Sequence, residues 1–136
     1  MAKATVTAVV CPENGSRETI LLTLRKVSPF MDAWCLPGGH IDDYEHAREA
    51  IRREVLEETG LSYEPEECLG WFEEIFPEHR FHAIVIAFSG TGTGSLHMQP
   101  EEVIEIGWFA LDAALDMPLA FNHNLVLRRY AQQLEK

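Results

Sequence analysis

The sequence predicts an α/β fold, in which an α/β/α sandwich is built around a mixed β-sheet. Two observations support this prediction. Short runs rich in β-branched and aromatic residues alternate along the chain with two segments of helical periodicity, and 46% of the 136 residues are hydrophobic, which is enough for a substantial core. Because a chain of this length has little room for a second core, we expect residues 1–136 to form a single domain.

The first two strands are expected at Thr5 to Cys11 and at Thr19 to Leu24. The segment between them contains Asn14-Gly15, which is a strong turn signal. The sequence therefore predicts a hairpin-like start to the fold.

A glycine turn followed by a helix comes next. A short strand-like segment, Trp34 to Leu36, ends at Pro37-Gly38-Gly39, where the two glycines would permit positive φ and the close approach of another group. The helix is predicted over Glu45 to Thr59, with Asp42 or Asp43 as its cap and Gly60 at the position after its last turn.

The second half of the chain predicts three more strands and a terminal helix. Cys68 to Phe76 and Phe81 to Ser89 have strand character, and the second is apolar enough to lie centrally in a sheet covered on both faces. Gly90 to Ser95 is expected to be a flexible connection. Val103 to Ala110 predicts the last strand, and Asn122 to Leu134 an amphipathic helix.

Charge and cysteine content exclude several classes of function. The net charge of −11 argues against nucleic-acid binding, which requires a basic surface, and an anionic substrate would need metal ions in order to approach. The three cysteines are isolated, so they indicate reduced thiols, not a disulfide framework or a zinc site. Because no apolar signal region or membrane-spanning run is found either, we expect a cytoplasmic protein.

The most informative feature is a set of three glutamates on one side of the predicted helix. At about 100° of rotation per residue, Glu54, Glu57 and Glu58 fall within an arc of roughly 100° that also holds apolar residues. Burying ionised carboxylates without compensating charge is costly, and divalent cations can supply that charge. A solvated helix face with ion pairs four residues apart is the alternative, but it explains the charge and not the apolar neighbours.

The spacing around these glutamates resembles the signature of the Nudix hydrolases. Gly39 is followed after five residues by Glu45, and after seven more by the run Arg53-Glu54-Val55-Leu56-Glu57-Glu58-Thr59-Gly60-Leu61. A pattern with so many positions at fixed offsets is far more specific than a lone glycine-rich loop. The resemblance implies a Nudix-type α/β/α sandwich and a pyrophosphohydrolase that uses Mg²⁺ or Mn²⁺.

The resemblance also assigns roles to residues. It implies that the glutamate trio and the main-chain carbonyl of Gly38 bind metal, while Arg53 and Glu45 hold the ligands in place. A further ligand or general base is expected near Pro100, where Glu102 is the first choice and Glu101 the second, with Glu54 as the candidate base if neither acts. The implied catalytic set is Glu45, Arg53, Glu54 and Glu102, and the implied metal set is Gly38, Glu54, Glu57, Glu58 and Glu102.

Two features outside this signature point to a substrate. Pro77 lies sixteen residues beyond Leu61, a spacing that resembles ADP-ribose pyrophosphatases. The segment Pro118 to His123 resembles a Leu-Ala-Phe-Asp-His segment of that branch, with Asn122 in place of the aspartate. The leading expectation is therefore hydrolysis of ADP-ribose to AMP and ribose 5-phosphate.

Two alternatives stay open at this point. One is a pyrophosphohydrolase of nucleoside triphosphates, including oxidised or non-standard ones, which would release a monophosphate and pyrophosphate. The other is a non-catalytic Nudix-like domain that binds nucleotide sugars. In each case the expected partner is a small nucleotide, with no nucleic acid and no membrane, and a homodimer is left open.

Overall fold

The computed structural model describes residues 1–136. Its strands are β1 (Lys3–Pro12), β2 (Thr19–Arg25), β3 (Trp34–Cys35), β4 (Gly38–His40), β5 (Ser62–Phe76), β6 (Phe81–Thr93) and β7 (Val103–Ala110). Its α-helices are α1 (Ala47–Thr59), α2 (Leu111–Leu115) and α3 (His123–Leu134). No helix is long and apolar enough to cross a membrane.

The strands form two sheets. The larger has the order β4-β1-β6-β5, in which β1 and β6 run parallel and the other neighbours antiparallel, and the smaller has the order β3-β2-β7. The predicted mixed sheet is therefore confirmed, and so is the central position of β6.

Two apolar layers hold these elements together, and alternation along β1 separates them. Val6, Ala8 and Val10 face α1, where they pack against Ile51 and Val55. Residues of the opposite face, such as Val9 and Val85, pack against the small sheet and α3. Helices and the second sheet thus cover both faces of the large sheet, as the predicted sandwich requires.

The predicted hairpin at the start of the chain is wrong. β1 pairs with β4 and β6 in the large sheet, whereas β2 pairs with β3 and β7 in the small one. The Asn14-Gly15 signal specifies a turn, and Gly15 does adopt a φ of 89°. A turn signal in the sequence does not determine which strand pairs with the strand that follows the turn.

Strands β5 and β6 are longer than predicted. Gly90 to Thr93 continue β6, in place of the expected flexible connection, and pair with the first residues of β5, from Ser62 to Pro65. Irregularities of register at Pro65/Glu67 and at Cys68/Gly70 interrupt the alternation of β5, which explains why its first half was not recognised. Helix α2 was not predicted, and its five residues are too few to show a helical period.

Candidate functional site

Gly38 and Gly39 place β4 against both β1 and helix α1. Neither glycine has a positive φ, so that part of the prediction is wrong, but both permit a close approach. A Cβ at Gly39 would lie 2.5 Å from Oε2 of Glu54, and one at Gly38 would lie 2.9 Å from the Cα of Thr7 and closer still to the carbonyl oxygen of Val6. These glycines therefore allow a carboxylate and a neighbouring strand to lie against the backbone of β4.

Helix α1 presents its carboxylates toward this turn. It begins after His46, and Gly60 ends it with a left-handed φ of 79°, as predicted. The predicted caps Asp42 and Asp43 are wrong, because both precede the helix in a separate turn. The carboxylate of Glu49 accepts a hydrogen bond from the His46 N–H at 2.9 Å, in the manner of a capping box.

Glu58 is the most deeply buried of the three helix carboxylates. Its side chain accepts a hydrogen bond from the main-chain N–H of Gly38 at 2.9 Å. Burial raises the pKa of Glu58 well above its ordinary value, and the nearby carboxylates of Glu54 and Glu102 raise it further, while the Gly38 bond acts in the opposite direction.

Glu54 and Glu57 differ in exposure. The Glu54 side chain is 14% exposed, and its burial is the main cause that raises the pKa of Glu54. The Glu57 side chain is 54% exposed. The expectation of a buried arc thus holds for Glu54 and Glu58 but is wrong for Glu57, which lies at the edge of that face.

Arg53 is the cation at the centre of this cluster. Its guanidinium makes a two-pronged ion pair with Glu45, with Nε at 2.8 Å from Oε2 and Nη2 at 3.0 Å from Oε1. It also donates to Glu54 at 2.9 Å and to the carbonyl oxygen of His40 at 2.9 Å, and it lies 3.5 Å from Glu57. The Arg53 hydrogen bond lowers the pKa of Glu45 to about 2. Arg53 therefore links the loop before α1 to the carboxylates on the helix.

A cavity of about 380 Å³ opens beside these residues. Glu54 and Glu58 line one end of it, together with Gly38 and Gly39. Glu102, which directly precedes β7, lines the same cavity, whereas Glu101 does not. The structure thus brings the first-choice acidic residue of that region, and not the second, to the helix carboxylates.

The other end of the cavity holds residues that sequence reasoning missed. Glu74 and His123 are buried there, and they are joined in its lining by Arg25, Phe81 and Phe121. The position of Glu74 between Phe72 and Phe76 indicates, by strand alternation, an inward-facing carboxylate, and that signal could have identified it.

The donor set at the acidic end suits a hard divalent cation, since it consists of carboxylate oxygens that carry more negative charge than Arg53 balances. No three acidic, histidine or cysteine side chains converge closely enough to hold a metal in the present arrangement. Arg53 engages Oε1 of Glu54 at 2.9 Å and lies 3.5 Å from Glu57. The residues fit a metal ion by the chemistry of their donor atoms.

Comparison with known proteins assigns the family. The model of the NUDIX domain matches residues 1–130. The chain belongs to the Nudix hydrolase family. Its resemblance to that family, inferred from Gly39 to Leu61, is thereby confirmed.

Among curated relatives of this Nudix chain, the ADP-ribose pyrophosphatase of Methanocaldococcus jannaschii is 34% identical over 112 residues, which cover 82% of this chain. The match spans 64% of the length of that relative.

Solved Nudix structures confirm the fold. The crystal structure of a MutT NUDIX hydrolase from Burkholderia pseudomallei superposes with a TM-score of 0.84 at 27% identity, covering 95% of this chain and 98% of that one. The NUDIX domain of Shewanella oneidensis NrtR complexed with ADP ribose has a TM-score of 0.84 at 26% identity, covering 98% and 89%.

Proposed function

We propose that this Nudix chain is a pyrophosphohydrolase that uses Mg²⁺ or Mn²⁺ to hydrolyse the diphosphate linkage of a nucleoside diphosphate derivative, and that its substrate is ADP-ribose, cleaved to AMP and ribose 5-phosphate. The observation that carries the proposal is the shared cavity. It has the carboxylates of Glu54, Glu58 and Glu102 at one end and the aromatic rings of Phe81 and Phe121 at the other. A substrate that carries a charged diphosphate and a flat base would place the diphosphate at these carboxylates and the base at the aromatic rings.

The metal ligands in this proposal are the residues implied by the family signature. Glu54, Glu57 and Glu58 supply carboxylates, the Gly38 carbonyl adds a main-chain oxygen, and Glu102 supplies a ligand from across the cavity. A bound divalent cation neutralises the diphosphate and lowers the pKa of water. The burial of Glu58 supports this assignment, because burial raises the pKa of that carboxyl and a cation would offset the cost of its ionisation.

The remaining residues of the signature position these groups. Arg53 holds Glu45 through two hydrogen bonds and also reaches Glu54, so it fixes the loop and the helix relative to each other. Glu102 is exposed and lines the cavity, and its charge acts on Glu54 and Glu58, a position that suits a general base acting on water.

The choice of ADP-ribose is supported by the comparisons and by the sequence. One relative bears the name ADP-ribose pyrophosphatase, and one similar Nudix domain was solved as a complex with ADP ribose. The segment that resembles this branch also contributes directly to the cavity, through Phe121 and His123.

The proposal is tested by product analysis. Purified protein is incubated with ADP-ribose, nucleotide sugars and natural and oxidised nucleoside triphosphates, with Mg²⁺ or with excess chelator, and the products are separated by ion-exchange chromatography. We expect AMP and ribose 5-phosphate from ADP-ribose, only with metal.

Other outcomes identify the alternatives. Release of pyrophosphate from triphosphates with little turnover of ADP-ribose would assign the chain as a triphosphate pyrophosphohydrolase. Saturable binding of ADP-ribose without any hydrolysis would assign it as a binding domain. Turnover that persists in excess chelator would contradict the metal-dependent reaction.

A further inference from the structure

Glu74 presents an unpaired oxygen to the inner end of the cavity. Its side chain is buried, with 3% of the residue exposed. Oε2 accepts a hydrogen bond from the main-chain N–H of Asn122 at 3.2 Å and lies 3.9 Å from Nε2 of His123. Oε1 accepts no hydrogen bond from the protein, and it is not sealed from solvent, because the Thr5 hydroxyl is the one side-chain polar atom that is both fully buried and without a partner. An acceptor oxygen that is free of protein partners and open to the cavity is available to a ligand that enters it.

His123 lies beside the same oxygen of Glu74 that the Asn122 N–H engages. Its Nδ1 accepts a hydrogen bond from the Leu36 N–H at 3.0 Å, so the neutral ring carries its proton on Nε2, on the side of Glu74. Burial lowers the pKa of His123 to about 3, which keeps the ring neutral. Two N–H groups, from Asn122 and His123, therefore face Oε2, and only Oε1 is left for a ligand.

A second polar atom at the cavity is also without a partner. The hydroxyl of Thr5 is buried and makes no hydrogen bond. Thr5 pairs with Val85 and Glu74 pairs with Ala83, so both side chains project from the same face of the large sheet, two residues apart along β6. Both residues line the cavity.

The walls around Glu74 are flat and aromatic. The rings of Phe81 and Phe121 lie with their centres 5.1 Å apart, and the guanidinium of Arg25 lies 4.9 Å from the centre of the Phe121 ring. Such walls favour a planar heterocycle, which stacks on aromatic and guanidinium planes.

We infer that Glu74 is a specificity-determining residue that recognises the nucleobase of the substrate by accepting a hydrogen bond from an exocyclic amino group through Oε1. This assignment rests on the proposed function, because it places the base at the inner end and the diphosphate at the carboxylates of α1. Adenine offers such an amino group. Hypoxanthine has a carbonyl oxygen in its place, which the ionised carboxylate of Glu74 would repel.

The test compares AMP, IMP and ribose 5-phosphate as ligands, by calorimetric titration at pH 8 with Mg²⁺ present. Loss of one hydrogen bond to a charged group predicts that the wild-type protein binds AMP at least about tenfold more tightly than IMP. In Glu74→Gln the amide oxygen keeps the hydrogen bond from the Asn122 N–H, with Nε2 of His123 on the same side, so the amide NH₂ takes the place of Oε1. The variant should therefore bind IMP more tightly than AMP.

Glu73→Gln is the matched control. Glu73 is the neighbour of Glu74 in β5 and is exposed on the opposite face of the strand, so its variant should keep the wild-type preference for AMP. If Glu74 had only a structural role, its substitution would weaken the binding of both nucleotides equally and would not reverse the order of their affinities.

Three results would overturn the inference: equal binding of AMP and IMP by the wild type, equal weakening of both in Glu74→Gln, or an effect of that variant on ribose 5-phosphate. No binding of AMP by the wild-type protein would also overturn it. Metal-dependent hydrolysis of ADP-ribose in the separate product analysis would in that case leave the proposed function standing.

Discussion

The main-chain N–H of Gly38 and the buried carboxylate of Glu58 are joined by a hydrogen bond of 2.9 Å. This bond connects the glycine turn before α1 to the last turn of that helix, twenty residues later in the chain. It satisfies one oxygen of Glu58 and leaves the other to the acidic end of the cavity. Burial outweighs this single hydrogen bond, so the pKa of Glu58 lies well above its ordinary value.

The first prediction concerns Glu58→Gln. The glutamine can still accept the Gly38 hydrogen bond, but it removes a negative charge that the proposed metal site needs. We expect turnover to fall by at least ~10²-fold, more than is typical for loss of a supporting contact. The melting temperature in chelator should be equal to or higher than that of the wild type, because a buried charge is removed.

Metal binding can be followed on the same variant without any substrate. Millimolar Mg²⁺ should raise the melting temperature of the wild type by mass action and have a smaller effect on Glu58→Gln. Glu49→Gln is the control, since Glu49 lies on the exposed side of α1 and its variant should behave as the wild type does. Comparable kinetics for Glu49→Gln and Glu58→Gln would mean that the functional face of α1 has been misassigned.

The second prediction contrasts two adjacent glycines. A Cβ at Gly39 would meet the flexible carboxylate of Glu54, whereas a Cβ at Gly38 would meet the backbone of β1. We therefore expect Gly39→Ala to fold with nearly normal stability but lose about 10²-fold in kcat/KM, since it displaces Glu54. Gly38→Ala should lose stability by about 1–3 kcal/mol, as overpacking does. Thermal denaturation and steady-state kinetics of both variants test this prediction. Full activity of Gly39→Ala would contradict it.

The third prediction separates Glu102 from Glu101. Of these two residues, only Glu102 lines the cavity. A general base contributes typically 10²- to 10⁴-fold, so Glu102→Gln should lower kcat by about that factor with a smaller effect on KM. Glu101→Gln should stay within about threefold of the wild type. If both variants retain normal kcat, the base lies elsewhere and Glu54 becomes the leading candidate.

The features of the fold that could be predicted from the sequence are those whose signal lies within one short segment of the chain. Helix α1 and the placement of Glu58 on its buried face follow from a 3.6-residue period and fixed spacing, and both were found. The partners of β1 and β2 depend on contacts distant in sequence, so a turn signal at Gly15 could not select them.

Glu74 shows a second limit of sequence reasoning. Its inward direction follows from alternation with Phe72 and Phe76, in the regular part of β5. That it faces His123 depends on how α3 packs against β5, which no local pattern specifies. The acidic end of the cavity was therefore predictable, and its inner end was not.

The fourth prediction concerns the pH dependence of stability at Glu74. Burial raises the pKa of Glu74 to about 7, with the Asn122 N–H and the charge of Arg25 acting in the opposite direction. Since the ordinary pKa of a glutamate is 4.5, the folded protein binds more protons at this site than the unfolded chain does between about pH 4.5 and pH 7. Stability from this group is thus highest below that window and falls as the pH rises through it, by up to about 3 kcal/mol.

Glu74→Gln removes this titration, so its melting temperature relative to the wild type should be higher at pH 8.5 than at pH 4.5. The other charged groups at this end of the cavity, Arg25 and Lys3, are present in both proteins. His123 is present in both proteins, and its pKa in the folded state, lowered by burial to about 3, lies below this range. Glu73→Gln should show no such trend, because Glu73 is exposed. A difference between wild type and Glu74→Gln that stays constant across this range would show that Glu74 ionises normally in the folded protein, and an ordinary pKa would mean that water reaches this carboxylate freely.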